Sequence, residues 1–205
     1  MERGYKKIFW ALFFVTFHLN IGSLQLLPPF MGWLILLSGL QELTSALQNS
    51  SISTASFERG RTSGRILVGL TLLGTLGSLG TGGDWMEAPV MTFYPIIIIG
   101  LEIITFFYIL EGTHEIFSAL GFNERKEESE GKLRTYLLMV IPSGVLLTFA
   151  LFFNHSFSMV IGVLLGLIAV IYLLVFIHQV KKFWMENPLE NPVLEKRETL
   201  FSGTE

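Results

Sequence analysis

Cysteine does not occur anywhere in the chain. Its absence removes disulfides, thiolate metal sites, a cysteine nucleophile and thiol redox chemistry. Charge is scarce as well. Only 15% of the 205 residues are Asp, Glu, Lys or Arg, whereas 51% are hydrophobic; an ordinary soluble domain carries roughly 25% charged residues. So little charge leaves no broad basic surface for nucleic acid. Two missing motifs narrow the chemistry further. The Gly-rich stretch 80–83 is followed by no Lys-Ser/Thr pair, so it is not a phosphate cradle. His114-Glu115 is followed by no second histidine three residues on, so there is no helical zinc-protease motif.

What is present is an alternation. All fourteen Lys and Arg residues fall in four patches. These are Arg3, Lys6 and Lys7; Arg59, Arg61 and Arg65; Arg125, Lys126, Lys132 and Arg134; and Lys181, Lys182, Lys196 and Arg197. Apolar runs near the roughly 20 residues that cross a bilayer core separate them. Six spans fit, over 8–27, 30–47, 66–80, 90–120, 135–153 and 157–180. Cytoplasmic segments of membrane proteins retain Lys and Arg. With the N-terminus inside, every patch falls inside, and the loops after spans one, three and five carry none. The expectation is therefore an all-α integral membrane bundle of six transmembrane helices, N-in and C-in, over residues 1–182. A polar cytoplasmic tail, 183–205, follows.

Details of that expectation can be fixed in advance. The basic start and the apolar run from Ile8 resemble the first half of a signal peptide. No small-x-small cleavage site follows, so the segment reads as an uncleaved first span. Pro28-Pro29 predicts a tight turn, and 48–63 and 122–132 predict loops. Trp10, Tyr136 and Trp184 are expected at the inner interface, and Trp33, Trp85 and Tyr94 at the outer one. Pro142 and Gly144 are expected to kink span five.

An internal repeat is visible. Gly39-Leu-Gln-Glu-Leu-Thr-Ser-Ala-Leu47 ends span two, and Gly112-Thr-His-Glu-Ile-Phe-Ser-Ala-Leu120 ends span four, 73 residues later, with five of nine positions identical. Both spans run outside to inside, so a duplication of spans two–three and four–five would be parallel.

Charged groups inside a membrane are costly and need a reason. Glu102 falls near the middle of span four and His18 at similar depth in span one. The two would pair, relay a proton, or form one interhelical hydrogen bond that fixes packing. A second polar cluster is expected near the inner face: Glu42, Glu111, His114 and Glu115. Glu-x-x-His is a metal-ligand spacing in helical bundles, but the repeat puts Ser38 and Gln41 where a second copy is needed. No metal or cofactor is expected, and the acids are expected to pair with Arg59, Arg61, Arg65 or the 125–134 patch. Gly74, Gly77 and Gly80, and the Gly162/Gly166 pair, predict close helix packing, within the chain or between two copies.

The stretch Lys6-Lys7-Ile8-Phe9-Trp10, Asn20-Ile21-Gly22, Leu27-Pro28-Pro29-Phe30-Met31-Gly32-Trp33 and Gly39 resembles a segment of uncharacterised small polytopic membrane proteins of Gram-positive bacteria. Pro29 stands where that pattern has an acid. The resemblance covers the first 45 residues or so and implies a bacterial plasma membrane. The sequence thus favours a non-enzymatic membrane component: a scaffold, assembly partner or regulator. A small transporter or channel using His18 and Glu102 is the alternative, and an intramembrane enzyme comes last, because no set of polar groups for catalysis is recognisable.

Overall fold

The computed structural model describes residues 1–16, 20–21, 24–25, 28–48, 50, 52–81 and 93–187. Six helices account for most of them: α1 (Glu2–Thr16), α2 (Pro29–Leu47), α3 (Ala55–Thr81), α4 (Tyr94–Ala119), α5 (Asn123–Phe153) and α6 (Ser156–Glu186). A two-residue antiparallel ladder, Asn20–Ile21 with Leu24–Gln25, lies between α1 and α2. Each helix packs on its neighbours in sequence, and α1 also packs on α6, so the six close into a ring. Successive helices alternate in direction. Every Lys and Arg among the described residues lies at or near one end, called here the basic end.

Four helices, α2, α4, α5 and α6, are long and apolar enough to cross a membrane. The other two fall short for visible reasons. α1 stops at Thr16, where the first span was expected to reach residue 27. Among the described residues of that stretch, 20–21 and 24–25 form the ladder. α3 begins at Ala55, not 66, when the Glu58 amide bonds the Thr54 carbonyl at 3.0 Å. It thus includes Glu58, Arg59, Arg61 and Arg65. Much of its buried face is small: Ser56, Gly60, Ser63, Gly64, Thr71 and Gly74.

The charged stretch 122–132 is also helix rather than loop. Gly121, at φ 76°, ends α4: its amide bonds the Ser118 carbonyl and the Phe122 amide bonds the Phe117 carbonyl. α5 then starts at once, with Arg125–Glu128 and Arg134–Glu130 pairs at 2.6 Å one turn apart along its surface. α5 runs unbroken through Pro142. At 31 residues each, α5 and α6 are about 46 Å long, some 16 Å more than a bilayer core needs.

Three of the rings expected at interfaces, Trp33, Tyr136 and Trp184, lie inside the bundle. Trp33 is wholly buried and stacks on Phe106, with centroids 5.7 Å apart. Tyr136 and Trp184 are buried as well, and Trp184 lies parallel to Phe117. Trp10 is the one tryptophan among the described residues that is exposed; Trp85 lies outside them. The outside of the bundle is apolar too. α5 buries only Ser129, Tyr136, Ser143 and Ala150, every seventh residue, and leaves Leu138 75% exposed.

Small residues set the helix spacing. A Cβ on Gly39 would lie 2.9 Å from the Gly4 carbonyl oxygen and 3.1 Å from the Ile8 nitrogen, so α1 and α2 touch backbone to backbone. Gly162 and Gly166 face α5 of the same chain. Gly162 packs on Leu147 and accepts a hydrogen bond from the Ser143 hydroxyl at 2.7 Å, and Gly166 packs on Ser143. Gly100 has open space around it. Thermal unfolding of the detergent-solubilised chain should therefore show Gly39→Val losing about 1–3 kcal/mol through overpacking, while Gly100→Ala is neutral or slightly stabilising. Equal losses at both positions would refute the seam.

Candidate functional site

The basic end carries two polar clusters built alike. In the first, Lys7 of α1 donates to the Ser38 hydroxyl at 2.9 Å and pairs with the Glu42 carboxylate, both on α2. In the second, the Ser56 hydroxyl of α3 lies 3.1 Å from Glu111 Oε2 and 3.0 Å from Glu115 Oε1, both on α4. Ser38 and Glu42 stand 73 residues before Glu111 and Glu115. In each case the preceding helix bridges two positions one turn apart.

The correspondence extends along both helix pairs. Next to Lys7, Ile8 packs on Gly39; next to Ser56, Phe57 packs on Gly112, the residue 73 further on. One turn deeper, the Ala11 carbonyl approaches Gly32, and Gly60 approaches the Thr105 carbonyl, again 73 apart. Trp33 and Phe106, which stack on each other, are also a pair 73 apart. The match runs through α1–α2 and α3–α4, so it includes the helix before each repeated segment. The expected pairing of spans two–three with four–five instead takes in the helix after it.

The two clusters differ in charge. The first holds one ammonium, one carboxylate and one hydroxyl. The second holds two carboxylates and one hydroxyl, and a hydroxyl has a single proton to donate. Glu115 Oε2 is buried without a hydrogen-bond partner among the described residues, as is Glu42 Oε2. The arginines do not compensate. Arg61 pairs with Glu58 at 3.5 Å and reaches Gln41, while Arg59 lies over the Tyr108 ring. The expected pairing of these acids with the arginine patches is therefore absent among the described residues. Among the described residues, Lys7 of α1 is the one side-chain base within ion-pairing distance of Glu42, Glu111 or Glu115.

His114 does not join this group. It sits three residues after Glu111 on α4 and so points to a different neighbour. Its Nδ1 lies 3.1 Å from Ser129 Oγ and 3.3 Å from the Lys126 carbonyl, both on α5. Ser129 already donates to Lys126 at 2.8 Å, so its oxygen accepts, and Nδ1 carries the proton. Glu111 meets α3 and His114 meets α5, so the Glu-x-x-His spacing does not converge on one metal position.

Glu102 lies nine residues before Glu111, half a turn round the helix. It is half-buried, with Tyr136 of α5 within electrostatic reach. Its neighbours Ile99 and Ile103 pack over Gly144. Glu102 forms no hydrogen bond or ion pair among the described residues. Its expected partner His18 lies outside them.

Three bridging residues escaped the sequence reading: Lys7, Ser56 and Tyr5. Tyr5 reaches across the ring to share a 2.9 Å hydrogen bond with Thr113 of α4. The repeat offset pointed to positions 38, 42, 111 and 115, but nothing in it named the facing helix. No family model, curated protein or solved structure matches this chain.

The shared hydroxyl sets opposite signs for two substitutions. Glu111→Gln supplies an amide donor to Glu115 and should stabilise the solubilised chain by about 0.5–1.5 kcal/mol. Ser56→Ala removes the donor from both carboxylates and should cost about 1–3 kcal/mol. Thermal melts that moved the other way would show that the carboxylates are not competing for one proton.

Proposed function

We propose that the chain is a multi-pass protein of a bacterial plasma membrane, with six spans and both termini cytoplasmic, that works as a non-enzymatic membrane component: a scaffold, assembly partner or regulator. The gathering of positive charge at one end supports the orientation. The resemblance of the first 45 residues or so supports the bacterial setting. α1 and α3 are flanked on both sides by more apolar helices of the ring, a setting in which a short or less apolar helix is tolerated. The matched packing of α1–α2 and α3–α4 supports a parallel duplication.

One observation carries the non-enzymatic reading. The basic half of the interior is filled with Tyr5, Phe57, Phe117 and Trp184, each at most 3% exposed. Large rings plug the space that a catalytic or conducting pathway would need to reach the cytoplasm. Lys7, Ser38, Ser56 and Tyr5 there are engaged in helix-to-helix bridges.

The transporter reading keeps one specific support, Glu102, which has no hydrogen bond or ion pair among the described residues. An intramembrane ionisable residue is a functional hypothesis by default. Proteoliposomes under a proton gradient separate the two readings. Wild-type protein should pass no more protons than empty vesicles, and Glu102→Gln should fold and melt at or above the wild-type temperature. A wild-type proton flux that Glu102→Gln abolishes, with the fold intact, would sink the scaffold reading in favour of transport.

A further inference from the structure

At the basic end, α2 leads directly to α3 and α4 to α5. α1 and α6 are neighbours in space only. Their seam is built around one ring. Phe9 of α1 lies against His178 of α6, with centroids 5.7 Å apart, and the Lys181 ammonium sits 5.9 Å from the same ring. Lys6 comes one turn before Phe9 on the same face of α1, and Lys182 follows Lys181; both are exposed. Because α6 runs toward the basic end as α1 runs away from it, Lys6 is level with the turn of α6 that begins at Lys181.

These cations are in part unspent. Lys7, Arg61, Arg125 and Arg134 each have a carboxylate within the chain. Lys6 and Lys181 have none within ion-pairing distance among the described residues. The acids nearby are Glu2, a turn from Lys6 but not paired with it, and Glu186, which holds Lys182 loosely at 3.7 Å. Away from the basic end the same seam turns apolar and stays accessible. Trp10 is 45% exposed and stacks on Phe14, and Ile171 and Val175 of α6 are 46% and 50% exposed.

We propose that the α1–α6 seam binds one acidic phospholipid. Its phosphate lies among Lys6, Lys181 and Lys182, Trp10 sits at headgroup depth, and an acyl chain runs along Val175 and Ile171. Basic pockets between transmembrane helices on the cytoplasmic side take anionic headgroups. Interfacial tryptophan sits at headgroup level. A zwitterionic lipid brings its own ammonium and gains less from the lysines. A free phosphate ester would meet the charge but leave the apolar trough empty. This inference rests on the membrane reading above.

Native mass spectrometry of the full chain in detergent, titrated with phosphatidylglycerol or phosphatidylcholine, tests it. One phosphatidylglycerol should be retained in preference to phosphatidylcholine. The triple change Lys6→Gln, Lys181→Gln, Lys182→Gln should weaken it by about fivefold for each lysine removed. The same charge loss on α5, Lys126→Gln, Lys132→Gln, Arg134→Gln, should leave it at wild-type strength. Soluble glycerol phosphate should not displace the lipid. Equal loss in both triples, no preference in the wild type, or displacement by glycerol phosphate would each overturn the proposal. Lys6→Gln alone, at an exposed position, gives the same reading should the triple variant misfold. Extraction of the wild-type chain from membranes by alkaline carbonate would instead defeat the membrane reading itself. Loss of lipid preference with integration intact defeats only the seam.

Discussion

In hydrocarbon a polar group has no water to fall back on, and the helices are organised around that constraint. Hydroxyls along the bundle turn first to their own backbone. Thr71, Thr75, Thr105, Thr113 and Thr135 each donate to the carbonyl one turn earlier. Their oxygens remain free to accept, and Thr113 uses that capacity across a helix contact, where it meets Tyr5. Thr105 shares its proton between the Leu101 carbonyl and Ser63 Oγ, 2.8 Å away on α3. Ser143 works differently, donating directly to the Gly162 carbonyl of the next helix. Helix-to-helix polarity here is what remains after each helix has satisfied itself.

The same constraint separates the two kinds of helix contact. The pairs α1–α2 and α3–α4 meet at glycines and carry the bridges to carboxylates, whereas α5–α6, which also meets at glycines, carries only the Ser143 hydroxyl bridge. The α5–α6 hairpin is held along a narrow stripe, and most of its surface is apolar and outward-facing. In the proposed setting that surface meets lipid, where an exposed Leu138 or Val145 costs nothing.

Charge placement and apolar runs were legible in the sequence because they follow from solvation alone. That carried the helical architecture, the number of helices and the common end for the bases. Helix limits were less legible. The run from Asn123 looks like a loop because it is charged, yet Glu and Lys are good helix formers and pair along the surface. Trp33 looked like an interfacial ring because span position was the only guide. Its burial depends on Phe106, and only the offset of 73 connects them. Lys7 and Ser56 were invisible as bridges, because the facing helix is a matter of packing. The acids themselves were visible, since a carboxylate beside an apolar run stands out without any structure.

The two bridges have an electrical consequence. Lys7 neutralises its carboxylate, while Ser56 neutralises neither of its two. Two helix pairs with matching contacts therefore differ in charge at their bridges. The contact between α1 and α2 is thus locally compensated, while the one between α3 and α4 keeps two carboxylates on one hydroxyl. Such a molecule has a front and a back as seen by its neighbours.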